Sequence, residues 1–279
     1  MNDVDPKILD EFNVSSPLFI AETAIAKVWR VTRSDNSLAA LKVYKGDDMH
    51  NEGPGVVFLQ NCNGQGAAKI FQTGKNAFLM EYLDGPTLGE FTRQGEDQQA
   101  AKKLVETANQ LQKVQFDQNY PWPKLEDWVV GLMELERGAC WTDENWRHIE
   151  MSRHLTKELT STQKDVCVLH GDLHHDNIIK GARGYCAIDA KGVIGEKAYE
   201  LANAVCNPVG AEDLMVSRDR IEFLLTLWCE DFNLERERFL KWIIAQRGMS
   251  ISWSGNEIAS DHVSFKMLGI LIDLYQAQR

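Results

Sequence analysis

No run in this chain approaches the roughly 18 apolar residues of a membrane-crossing helix, so no transmembrane span or membrane partner is expected. The opening residues, MNDVDPKILDEF, carry acids and lack the apolar stretch of a secretory signal. Basic residues are in deficit. Thirty Lys and Arg stand against 41 Asp and Glu, a formal net charge of −11. A nucleic-acid binder wants a basic face, so no nucleic-acid partner is expected. Cysteine is sparse. The six residues, at 62, 140, 167, 186, 206 and 229, form no C-x-x-C pair. Most lie among apolar neighbours and read as small core residues in a reducing compartment. Internal repeats and low-complexity segments are also missing. These absences predict a cytoplasmic protein; the expected oligomeric state, monomer or dimer, does not follow from them.

What is present is ordinary in amount and uneven in arrangement. The 279 residues are 44% hydrophobic and 25% charged, enough for one large domain or two lobes with substantial cores. The first third reads as β-rich. Leu18–Ile20 is a short apolar run, Lys27–Thr32 alternates with period two, and Leu38–Tyr44 is a strand carrying Lys42. Gly53-Pro54-Gly55 breaks what could be a helix start near 49–52. Ala68–Thr73 and Ala77–Tyr82 flank a Gly-Lys-Asn turn and predict a hairpin. After Leu83-Asp84-Gly85-Pro86 the period becomes helical. Helices are expected from Asp97 onward, and near 126–137, 143–159, 199–206, 217–232, 235–246 and 257–277. Periodicity alone predicts an α+β chain in two lobes.

The stretch VCVLHGDLHHDNIIKGARGYCAID, residues 166–189, holds the chemistry. An apolar run leads to His170-Gly171-Asp172, Asn177 follows four residues later, and a hairpin delivers Asp189. Phosphoryl transfer from ATP needs an Asp facing the acceptor hydroxyl, with an Asn and a second Asp holding Mg²⁺. Two histidines beside an Asp also suit zinc, the metal-dependent hydrolase reading. That order, H-x-D-x-H-H, differs from the dinuclear H-x-H-x-D-H pattern and leaves Asn177 and Asp189 without a role. A non-catalytic nucleotide-binding module is a third reading, and it would usually lose Asp172 or Asn177.

The H-x-D-x-x-x-x-N pattern followed by an Asp after a hairpin resembles the catalytic and magnesium loops of the protein-kinase-like fold. With His-Gly-Asp and His-His-Asp, it is similar to the aminoglycoside phosphotransferase superfamily. IDAKGVIGE and ELANAVCNP bring it nearest to the streptomycin 6-phosphotransferase and hydroxyurea phosphotransferase subgroup. The resemblance implies a bilobal fold, with a β-rich nucleotide-binding lobe at 1–82, a hinge at 83–86 and a mainly helical catalytic lobe at 87–279. It implies ATP and Mg²⁺ as cofactors. Asp172, with His170 beside it, is implied as the proton acceptor, and Asn177 and Asp189 as magnesium ligands. Lys42 would contact phosphates and pair with Glu52. Thr23, among the small residues of loop 21–27, would approach phosphate, although G-x-G-x-x-G is absent. Met80 would back the adenine slot, with backbone groups of Glu81 and Leu83 on the adenine edge. Glu200 would buttress the catalytic loop, and Lys191 could add charge near the γ-phosphate.

The same resemblance implies a small-molecule alcohol as acceptor. A streptomycin-like aminoglycoside comes first, with hydroxyurea, choline or a sugar as alternatives. The acidic balance fits a cationic acceptor. Streptomycin carries two guanidinium groups, which carboxylates can bind through paired hydrogen bonds. Candidate contacts are Asp261, Trp253, Glu230 and Asp231, with Glu212, Asp213, Asp273 and Trp228 in reserve. Trp faces suit cations or sugar rings.

Overall fold

The structure is a computed structural model that describes residues 3–117 and 119–278. Five strands, β1 (Val14–Glu22), β2 (Ala26–Arg33), β3 (Leu38–Tyr44), β4 (Ile70–Thr73) and β5 (Ala77–Glu81), make one antiparallel sheet in the order β1-β2-β3-β5-β4. Strand parity sorts the side chains. Ala39 and Leu41 face a cluster with Trp29, Val31, Leu79 and Phe12, beside the short helix Pro6–Glu11. Ala40 and Tyr44 take the opposite face with Ala26, Phe78 and Met80. Lys42 shares their parity, which turns its ammonium toward the second lobe.

Gly53-Pro54-Gly55 does not break a helix; it begins one, Gly53–Cys62. Proline is tolerated in the first turn, where its missing N–H would have no partner in any case. Gly55 is needed for packing. A Cβ there would stand 1.6 Å from the Ala190 carbonyl oxygen, so glycine lets this helix lie against the loop that follows Asp189.

The second lobe is mainly helical. Its centre is Arg236–Ser254, longer than its sequence pattern suggested because Arg247, Gly248, Met249 and Ile251 stay buried past Gln246. Phe239, Leu240, residues 242–249 and Ile251 bury most of its circumference, the mark of a core helix. It packs against Asp143–Ser161 and Val263–Gln276. The helix expected at 126–137 is two short pieces, Leu125–Trp128 and Val130–Glu134. Two small antiparallel pairs lie toward the first lobe: β6 (Val166–Leu169) with β9 (Val193–Glu196), and β7 (Ile178–Gly181) with β8 (Gly184–Ala187). The β6–β7 loop carries Asp172 and Asn177, and the β8–β9 loop carries Asp189. Among the described residues, no helix is long and apolar enough to cross a membrane.

Candidate active site

Three loops meet below the sheet. Asp172 leaves β6 through Gly171, whose φ of +81° is a left-handed conformation that a Cβ would strain; that Cβ would also meet Val193 at 2.7 Å. Asn203 Nδ2 donates to Asp172 Oδ1 at 2.7 Å. Asn177 Nδ2 donates to the Asp172 carbonyl at 2.9 Å and approaches Oδ2 at 3.4 Å. Asn203 is itself fixed, because its Oδ1 accepts from Gln246 Nε2 at 2.8 Å and Asn207 Nδ2 at 3.2 Å. Two donors on the amide oxygen leave only the nitrogen end for Asp172. Enclosure raises the Asp172 pKa above the ordinary carboxylate range, against the lowering pull of His174, Lys191 and the Asn203 hydrogen bond. Neither Asn203 nor Gln246 was foreseen. Only Asn203 carried a signal, inside the ELANAVCNP match.

His170 does not reach an acceptor, contrary to its expected place among the catalytic groups. It is fully buried. Its Nε2 lies 2.9 Å from the Ile188 carbonyl, and its Nδ1 accepts the Asp172 N–H at 3.3 Å. A carbonyl can only accept, so Nε2 carries the proton. Burial lowers its pKa to about 3 and keeps the ring neutral. His170 therefore ties the Asp172 loop to the strand preceding Asp189. Below it, the buried Glu200 carboxylate accepts the N–H groups of His170 (3.0 Å) and Gly171 (3.2 Å). The buttress is thus in place.

Burial lifts the Glu200 pKa to about 7, from an ordinary 4.5. A carboxyl raised in the fold stabilises it fully below the unfolded pKa and loses that contribution as pH climbs through the folded value. Glu200→Gln exchanges one acceptor oxygen for a donor facing a backbone N–H and should lower the melting temperature. The deficit against the parent should be largest near pH 4.5 and shrink as pH rises through about 7. A pH-independent deficit in thermal melts would contradict this account.

Asp189 sits at φ +56°, uncommon for a non-glycine residue and typical of a strained functional position. Its Oδ1 receives Lys42 Nζ at 2.9 Å. Here the structure corrects an expectation. Lys42 pairs with Asp189, while Glu52 pairs with Lys191 at 2.7 Å. The cause is local: Glu52 ends a short 3-10 turn, and the helix that would have presented it toward Lys42 starts only at Gly53. Both pairs bridge the two lobes. Asn177 spends its amide nitrogen on Asp172, so its oxygen and the Asp189 carboxylate are the hard donors left, a set suited to Mg²⁺ completed by phosphate and water. The zinc reading lacks geometry. His175 is buried 6.4 Å from the Trp228 ring, His170 is spent on Ile188, and no metal-binding group of three His, Cys, Asp or Glu occurs among the described residues.

Between the lobes, Met80, Ala40, Ala68 and Phe78 with Val28, Leu83 and Ile188 form an apolar cluster. The Glu81 N–H donates to the Lys69 carbonyl at 2.8 Å, and its side chain pairs with Arg183. Thr23 closes the β1–β2 turn. Its Oγ1 accepts the Ala26 N–H at 3.1 Å, and its carbonyl receives Lys45 Nζ at 2.8 Å.

Asp172 and Gly171 open on a cavity of about 1040 Å³. Its carboxylates are Glu52, Asp127, Asp172 and Glu212, and its aromatic wall is Trp128 edge-to-face with Trp253. Of the substrate candidates, only Trp253 and Glu212 line it. Asp261, Asp213, Glu230, Asp231 and Asp273 do not, and Trp228 is a core residue donating to the Ala101 carbonyl. The helix Arg218–Asp231 buries Ile221, Leu224 and Trp228, and its end packs on Asp97–Leu111 through Asn109 to the Asp231 carbonyl. Asp127, which is cavity-lining, was missed because it reads as an ordinary first-turn acid.

A β-rich lobe over a helical one, with Asp172, Asn177 and Asp189 converging between them, defines a kinase-like phosphotransferase. Residues 11–257 match the family described as "Aminoglycoside/hydroxyurea antibiotic resistance kinase", and the chain belongs to that family of enzymes, which phosphorylate hydroxyl groups. A streptomycin 3''-kinase from Klebsiella pneumoniae is 32% identical over 228 residues, 79% of this chain and 81% of that one. Similar folds include a thermostable mutant of aminoglycoside phosphotransferase APH(4)-Ia in a ternary complex with ADP and hygromycin B. It is 12% identical, with TM-score 0.67, covering 96% of this chain and 98% of that one. Plasmodium vivax ethanolamine kinase Pv091845 is 16% identical, with TM-score 0.63 over 99% and 86%.

Proposed function

We propose that this kinase transfers the γ-phosphoryl group of ATP to a hydroxyl of a streptomycin-like aminoglycoside. One observation carries the acceptor class: the cavity over Asp172 combines carboxylates Asp127 and Glu212 with the Trp128–Trp253 wall. Carboxylates receive guanidinium groups, and indole faces receive cations and sugar rings. The streptomycin kinase relative supports the same reading.

In this proposal residues 83–86 are the hinge between lobes 1–82 and 87–279. The apolar cluster around Met80 takes the adenine, and backbone groups of Glu81 and Leu83 take its polar edge. Lys42 would exchange Asp189 for phosphate oxygens. Mg²⁺, held by Asn177 and Asp189, would supply charge neutralisation on the phosphates. Asp172 accepts the hydroxyl proton, with Asn203 and Asn177 orienting its carboxylate so that the free edge faces the cavity. Thr23 shapes the turn above this site, and Glu52 and Lys191 stand at its mouth.

The test is ATP consumption with streptomycin, hydroxyurea, choline and a sugar alcohol, followed by phosphorus NMR to locate the modified hydroxyl. Streptomycin turnover is expected. Turnover of only a neutral alcohol or hydroxyurea would overturn the acceptor and keep the kinase. Asp127 and Glu212 are exposed, so their contribution is modest and screened by salt. Asp127→Asn should raise the streptomycin KM roughly two- to fivefold, leave that for ATP nearly unchanged, and blunt the rise of KM with ionic strength. A KM for streptomycin insensitive to both salt and Asp127→Asn would remove the electrostatic basis of the reading.

A further inference from the structure

The acid-lined cavity also holds a buried cation. Arg247, on the long helix Arg236–Ser254, lines it and is only 6% exposed. Its Nη1 donates to Ser264 Oγ at 3.2 Å, its guanidinium touches the Cys206 thiol, and its Nε has no partner. No carboxylate pairs with it among the described residues. The contrast with Arg220 is informative. That equally buried guanidinium meets Asp97 at 2.9 Å and two backbone carbonyls, so its charge is compensated. A buried charge without a counter-ion is strongly destabilising, and Arg247 has only a hydroxyl and a thiol to offset it.

Its neighbours place it relative to the chemistry. Gln246, one residue before, donates to Asn203, which donates to Asp172. Ser250, Trp253 and Ser254 follow on the same helix and line the same cavity. Asp127 and Glu212 line it too, so one cavity presents both signs of charge.

We infer that Arg247 is an oxygen subsite of the acceptor cavity, receiving a planar carbonyl- or carboxylate-class oxygen of the bound molecule through its in-plane N–H donors. This rests on the reading of the cavity as the acceptor's. The acceptor is then bipolar: cationic groups lie toward Asp127 and Glu212, and a planar oxygen acceptor lies toward Arg247. A guanidinium suits this role because its rigid fork matches carboxylate geometry.

The probe is gluconate, a polyol carboxylate, against sorbitol, its uncharged counterpart, at constant ionic strength. Thermal melting and calorimetric titration of the full chain should show saturable gluconate binding and no comparable sorbitol effect. Arg247→Met should weaken gluconate roughly tenfold, the size of one charge-assisted hydrogen bond. Arg247→Gln serves if that variant does not fold. Gluconate acting no more strongly than sorbitol on the wild type, or equally on wild type and variant, would overturn the subsite. The assay needs no turnover, so failure of streptomycin as a substrate and failure of Arg247 as a subsite are read separately.

Discussion

Asp172→Asn should lose turnover by roughly a hundredfold to ten-thousandfold while nucleotide-induced stabilisation is retained. The substitution preserves volume and removes the proton acceptor. The surroundings sharpen the expectation. The two Asp172 oxygens face amide nitrogens of Asn203 and Asn177, and Asn203 cannot flip because Gln246 and Asn207 both donate to its oxygen. An amide at position 172 therefore sets an NH₂ group against one of those donors, so orientation suffers with basicity. In the parent, burial raises the Asp172 pKa, so kcat/KM should rise with pH through a midpoint above the ordinary carboxylate value of about 4. That limb should vanish in the variant. Turnover within a fewfold of the parent, or an unchanged acid limb, would remove Asp172 from the role of base.

The parts of this site that were legible from sequence are those with short-range spacing. His170, Asp172, Asn177 and Asp189 lie within twenty residues, and one loop and one hairpin bring them together, so their order along the chain nearly is their geometry. Lys42 was legible because strand parity decides its face. Long-range partners were not. The Lys42–Asp189 pair spans 147 residues, and its formation instead of Lys42–Glu52 depends on where a proline-containing helix begins. Gln246 and Arg247 lie within a run of buried residues on a helix that the core surrounds, and nothing in periodicity separates a cavity-facing polar residue from a satisfied core one. Acidity was a poor guide to the acceptor cavity. Glu230, Asp231 and Asp261 carry the right charge, but only tertiary packing decides that Asp127 and Glu212 line the cavity and those three do not.

Asp189→Ala should have two separable consequences, because Asp189 holds Lys42 in the structure and is the charged magnesium ligand in the proposed reaction. Without nucleotide, the variant leaves the Lys42 ammonium, 5% exposed, with the Tyr44 ring 5.5 Å away and, among the described residues, no carboxylate in contact. Breaking a fully buried pair is strongly destabilising; Asp189 is only half-buried, so a loss of about 1–3 kcal/mol is expected. Lys42→Met on the Asp189→Ala background removes the stranded charge and should recover most of that stability. Turnover should not recover, since the double variant lacks both the phosphate-contacting lysine and the metal ligand. With nucleotide, the parent should be stabilised more by ATP with Mg²⁺ than by ATP alone, and Asp189→Ala should show no such difference. Melting curves of the parent and both variants, with and without Mg²⁺, separate the two roles. Equal Mg²⁺-dependent shifts in parent and Asp189→Ala would leave Asp189 as an anchor for Lys42 alone. An unstable double variant would instead show that the Lys42 charge is compensated by something other than Asp189.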